Sequence, residues 1–167
     1  DLQPFLHEFS ALLREAERTA AAAGIDPMAV DFDNCCHRSF RLELIEAVHL
    51  GHSLNKELSR EDRTAAIERA IASTSLLRER ETGTGCSQEE AAQHMTAAGS
   101  LSCPLLAERS CTILEHRPLR CRSGIDQATA ARMQEAIHTA SRQVFLALTG
   151  EFSPAADLRF SIFDTVS

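Results

Sequence analysis

Tryptophan and tyrosine are absent from this 167-residue chain, and lysine occurs once, as Lys56, against 16 arginines. Eight phenylalanines make up the whole aromatic set, and the formal net charge is −7. That balance excludes nucleic acid as a main partner, because binding it takes a basic face and usually aromatic rings that stack on bases. Glycine and proline are scarce, at 7 and 5 residues, which rules out collagen-like and low-complexity classes. No run approaches the roughly 18 consecutive apolar residues of a membrane span. The N-terminus also lacks the basic-then-apolar pattern of a signal segment. What is present, 44% apolar and 25% charged residues in about one domain's length, describes a folded globular protein with a real core. The expectation is a single soluble, cytoplasmic domain spanning residues 1–167. It begins at Asp1 and stops at Ser167 within a strand-like run, so it reads as a segment excised from a longer bacterial chain.

Helical periodicity dominates. From Leu2 to Ala23 the apolar residues Phe5, Phe9, Leu12, Leu13 and Ala16 follow one stripe of a 3.6-residue period, ended by Gly24. Phe40, Leu44, Ile45 and Val48 predict a second helix over Ser39 to Leu58, through Gly51. Ser59 and Asp62 form a start signal for a third, carried by Ala65, Ala66, Ile67, Ala70, Ile71, Leu76 and Leu77 and ended by Gly83 and Gly85. Ser87 and Glu90 have capping-box spacing for a short fourth helix to Ala98. Between Gly99 and Gly124 the period vanishes, and Pro104 and Pro118 forbid a continuous helix. Asp126 caps a long last helix that Gly150 ends, and Leu158, Phe160 and Ile162 alternate as one short strand. The fold class expected is mainly α, a bundle of about five helices with a cysteine-bearing irregular loop region and a short C-terminal strand.

Six cysteines are more than a chain with its own core needs for disulfide staples, which concentrate in small secreted domains. Cys35 and Cys36 are adjacent, Cys86 stands alone, and Cys103, Cys111 and Cys121 fall in the irregular stretch. A thiolate site gains weight from this distribution, with disulfides left open should the segment be periplasmic and buried free thiols left open for Cys35, Cys36 and Cys86. A four-coordinate Zn²⁺ or a [4Fe–4S] cluster needs converging thiolates, and loops converge where a straight helix cannot. Four thiolates around either group leave about −2 net charge, which nearby cations and amides offset. Arg109, Arg117, Arg120 and Arg122 lie among the loop cysteines in the sequence and are the candidates for that role.

The run Cys103-Pro104-Leu105-Leu106, Cys111-Thr112-Ile113-Leu114-Glu115 and Arg117-Pro118-Leu119-Arg120-Cys121-Arg122 resembles the C-terminal motif of the zinc- or iron-chelating CxxxCxxCC family. Cys35-Cys36 is similar to the last pair of that family's N-terminal signature. The family's two earlier cysteines would fall where this chain has Met28, Ala29 and Phe32, and its motif tyrosine is replaced by Leu114. The resemblance implies a bound metal or an iron–sulfur cluster, with Cys36, Cys103, Cys111, Cys121, Cys35 and Cys86 as ligand candidates. A related flagellin lysine-methylating enzyme is associated with a cluster.

Other chemistry is thin. His49 and His52 share helical spacing but lack a His-Glu-x-x-His pattern, so surface or packing roles are expected of them. His37 and His116 are better placed to assist a metal. There is no phosphate loop, no Ser-His-Asp order and no recognisable acid/base pair. The leading expectation is a metal- or cluster-binding sensory module for oxygen or redox state. It would act on other domains of the same chain, with a homodimer left open. The alternatives are a cluster-dependent enzyme domain, for example methyl-transferring, and a helical interaction module with a structural zinc.

Overall fold

The computed structural model describes residues 1–29, 36, 40–99, 101–151 and 158–167. The fold is mainly α. In chain order it comprises α1 (Gln3–Ala22), β1 (Arg41–Glu43), α2 (Leu44–Glu57), α3 (Arg60–Thr84), α4 (Gln88–Ala97), β2 (Leu106–Ala107), β3 (Ser110–Cys111), α5 (Gln127–Thr149), β4 (Arg159–Ser161) and α6 (Ile162–Val166). Single 3₁₀ turns at Leu114–His116 and Leu119–Cys121 lie between β3 and α5. Cys35 and His37 lie outside the described residues. Among the described residues, no helix is long and apolar enough to cross a membrane.

Contacts divide the chain into two compact units, one drawn from Asp1–Val30, Leu42–Leu50 and Glu115–Phe160, the other from Asp31–Arg41, Gly51–Leu114 and Ser161–Ser167. In the first, α1 starts with Pro4 in its first turn, where the missing proline N–H costs nothing. It buries Leu6, Phe9, Leu13, Ala16 and Ala20, one stripe at helical spacing. That stripe packs on α5, and Phe9, Leu13 and Ala16 share a core with Leu44, Ile45, Leu119, Met133, Ile137 and Val144. Asp126 caps α5 by accepting from the Thr129 amide at 3.0 Å, and Gly150 closes it at φ +73°. The first turn of α2 is held from a distance: the Ile45 amide donates to Ser141 Oγ of α5 at 3.2 Å.

In the second unit, α3 packs against α4 and α6 and buries Ala66, Ala70 and Leu77, while Ile71 and Leu76 face outward. Ser59 caps α3 by accepting from the Asp62 amide, and Gly85 in the left-handed region ends it, so Gly83 lies within the helix. The capping box at α4 forms: the Ser87 amide donates to a Glu90 carboxylate oxygen at 2.8 Å, and the Glu90 amide to Ser87 Oγ at 3.3 Å.

Two sequence expectations change. The segment expected to open the second helix is β1, paired with β4 in a two-stranded sheet, and helix begins only at Leu44. Long-range strand pairing outweighs local period there. Ile162, expected on the strand, begins α6, because Ser161 accepts from the Asp164 amide at 3.0 Å and turns the chain into a helix.

Candidate metal centre

The cysteine-bearing stretch is organised in the second unit by a tight hairpin. The Leu106 amide donates to the Cys103 carbonyl at 3.0 Å, and the antiparallel strands pair Leu106 with Cys111 and Ala107 with Ser110. Thr112 donates to the Leu105 carbonyl from its amide at 2.9 Å and from its hydroxyl at 3.1 Å. The two turn residues are Glu108 and Arg109, at φ +48° and +63°. Two-residue hairpins of this hand need positive φ at both positions and usually take Asn-Gly, so the non-glycine pair carries strain. Arg69 of α3 holds the hairpin's base through a 2.8 Å bond from Nε to the Pro104 carbonyl.

Cys36 enters the same neighbourhood through the main chain. The Cys103 amide donates to the Cys36 carbonyl at 2.8 Å. Cys36 is 3% exposed, while Cys103 and Cys111 are half-buried. Cys86 is half-buried between α3 and α4, at a cavity of about 420 Å³ that Arg80, Ala91 and His94 also line. In the first unit, Cys121 closes a 3₁₀ turn by donating its amide to the Pro118 carbonyl at 3.0 Å. Cys36, Cys86, Cys103, Cys111 and Cys121 are all thiols rather than disulfides. Among the described residues, no group of three or more His, Cys, Asp or Glu side chains is placed to share one metal ion.

The four arginines divide by environment. Arg109 is exposed at the hairpin tip, and Arg120 is also exposed. Arg122 is buried: Nη1 pairs with Glu17, Nη2 donates to the Glu115 carbonyl at 2.8 Å, and Nε donates to the Arg117 carbonyl at 3.2 Å. Burial pulls its guanidinium below the usual range, the Glu17 carboxylate works against that, and Cys121 is near enough to add a smaller opposing contribution.

Arg117 is 1% exposed, and its Nη2 donates to the carbonyls of Pro27 and Ala29 at 2.5 and 3.3 Å. Arg117 therefore ties the chain just before Pro118 to the segment that follows α1. Ser123 Oγ also donates to the Ala29 carbonyl, at 3.4 Å. Nε and Nη1 of Arg117 have no hydrogen-bond partner among the described residues. A buried cation with unmet donors is costly unless negative charge faces it.

Two groupings of side chains come from residues distant in the chain, one around His49, for which a surface or packing role was expected, and one around Glu46. His49 is buried and pairs with His116, not His52: the ring centroids are 5.7 Å apart and tilted by 54°. Its ring also meets that of Phe9 in a T-shaped contact with centroids 5.0 Å apart, and Nε2 lies 3.3 Å from Ser10 Oγ. Glu46 is the second. Its Oε2 accepts from the Glu43 amide at 3.1 Å, and burial pushes its carboxyl above the usual range, with the Glu43 charge adding to that effect. Glu43 is held by Gln134 at 2.7 Å, Arg159 at 2.7 Å and His138 at 3.3 Å. Neither group has a local sequence signature, because each is made by elements distant in the chain.

No protein-family model, curated protein or solved structure matches this chain. The family resemblance therefore rests on the motif residues themselves.

Proposed function

We propose that this chain is a thiolate metal-binding module, in which Cys36, Cys103 and Cys111 together with Cys35 hold a zinc ion or an iron–sulfur cluster. The observation that carries the reading is the bond from the Cys103 amide to the Cys36 carbonyl, which ties the CC pair to the first cysteine of the C-terminal motif. The hairpin then returns Cys111 opposite Leu106, close behind Cys103 in the same hydrogen-bonded loop. The thiols of Cys36, Cys103 and Cys111 are not grouped around one ion in this structure, so the reading requires these side chains to converge, with Cys35 as the proposed fourth ligand, when metal binds. Zinc would supply a fixed cross-link, and a cluster one that oxygen or reduction can alter.

The module reading extends to regulation of neighbouring domains in a cytoplasmic, thiol-reducing compartment. In the first unit, Cys121 occupies the turn leading to the Asp126 cap of α5, so a change at that thiol would bear on the start of a long helix. The test is anaerobic purification followed by iron, zinc and sulfide analysis with visible absorption. Stoichiometric metal that Cys103→Ser and Cys111→Ser each remove is the expected result. A folded wild-type protein free of all three elements overturns the proposal.

A further inference from the structure

The second unit holds a cavity of about 220 Å³ that none of its cysteines borders. Its apolar wall is made by Leu77 of α3, Ala92 of α4 and Phe163 of α6, each at most 4% exposed, with half-buried Phe40 just before β1. Sites for drug-sized ligands measure roughly 300–1,000 Å³, so this one suits a single ring or a short alkyl chain.

The polar side chains around that wall are mostly acceptors. Ser161 Oγ gives its proton to Asp164 Oδ2 at 2.6 Å, and Ser87 Oγ gives its proton to Glu90 Oε2 at 2.8 Å. Both serines border the cavity, so their hydroxyls have no proton left for a ligand. The carboxylates of Glu89 and Asp164 border it as well, and an ionised carboxylate only accepts. Among the described residues on this border, Arg41 is the only side chain with N–H donors, and its Nη1 already lies 3.6 Å from Glu89 Oε2. Charge points the same way, with two carboxylates against one guanidinium. The N-terminus of α4 opposes them by the equivalent of about +0.5 charge, and α6, five residues long, adds less, so the sum stays negative.

We infer that this cavity binds a small organic ammonium ion, whose single aryl or short alkyl group rests against Phe40, Leu77 and Phe163 while its N–H donors meet the Glu89 and Asp164 carboxylates. Apolar contact supplies most of the affinity, because ion pairs at exposed carboxylates are individually weak. The carboxylates select the head group. Binding is weak and reversible, and it is independent of the thiolate centre.

The test titrates the full chain with benzylammonium, its neutral analogue benzyl alcohol and the anion benzoate, followed by NMR of the Leu77 methyls and the Phe163 ring. Benzylammonium should move both sets of signals saturably and bind about 3–10-fold more tightly than benzyl alcohol, with benzoate weakest. The double variant Glu89→Gln/Asp164→Asn should lose that preference while its affinity for benzyl alcohol stays the same. Both positions are exposed and both replacements keep an oxygen acceptor, so the fold is preserved. Absence of saturable shifts at tens of millimolar benzylammonium overturns the inference. So does benzoate or benzyl alcohol binding as tightly as benzylammonium, or a preference that survives in the double variant.

Discussion

The Cys103 amide donates to the Cys36 carbonyl at 2.8 Å, joining two cysteine segments that the sequence keeps far apart. The bond fixes main chain, and leaves the two thiols in different environments: Cys36 is almost wholly covered and Cys103 half-covered. Alkylation rates should follow that order. In metal-free protein, iodoacetamide should modify Cys103 and Cys111 well before Cys36, because reaction at a covered thiol waits on local opening. Peptide mass spectrometry over a time course reads this directly, and equal rates at all three would contradict the placement of Cys36.

Gly124 and Gly51 should respond oppositely to alanine. Gly124 has φ +78°, and an added Cβ would lie 2.7 Å from Ile25 Cγ2. Strain and overlap together should cost about 2–4 kcal/mol. Gly51 sits within α2 with open space where a Cβ would go, so Gly51→Ala should gain about 0.5–1 kcal/mol by restricting the unfolded chain. Urea unfolding of the two variants checks both signs.

Arg122 makes three bonds in three directions, to Glu17 and to two carbonyls. Arg122→Met should destabilise by about 2–4 kcal/mol, since truncating one member of a buried pair leaves the rest unpaired, moderated here because Glu17 is partly exposed. Arg122→Lys should recover little of this, because a single ammonium cannot reproduce the fork of the guanidinium. A lysine variant as stable as wild type would show that charge alone matters at this position.

Glu46 should impose a pH dependence of its own. Its carboxyl is raised in the fold above the ordinary value of 4.5 by burial, so the folded state binds that proton more tightly than the unfolded chain. The resulting stability is fully present below about pH 4.5 and is lost as pH rises through the folded value. Glu46→Gln removes the dependence. Its advantage over wild type should be smallest near pH 4 and grow toward pH 7, measured as the difference between two urea-unfolding series. A difference that is flat with pH would mean that the Glu46 carboxyl titrates alike in the folded and the unfolded chain.

Helix legibility varied with the source of the signal. α1, α3, α4 and α5 were readable because local rules specify them: apolar stripes at 3.6 spacing, the Ser59, Ser87 and Asp126 caps, and stops at Gly85 and Gly150. β1 was not readable, because its reason to be extended is β4, more than a hundred residues downstream. The candidate site was half legible. Motif spacing named Cys103, Cys111 and Arg117, but nothing local could say that Arg117 would hold the Pro27 and Ala29 carbonyls, or that Arg109 would sit exposed at a hairpin tip.

By itself the sequence determined the class of the protein: a mainly helical, acidic chain with thiols beyond what its core requires, and periods and caps that act over a few residues. Only the tertiary structure decided partnership. It set His49 beside His116 and Phe9, with Nε2 3.3 Å from Ser10 Oγ. It also buried Glu46 and Arg117 where their charges carry consequences. The physical reason is range: periodicity and capping are local free energies written in adjacent residues. Desolvation and side-chain pairing depend on which distant segments the collapsed chain brings together.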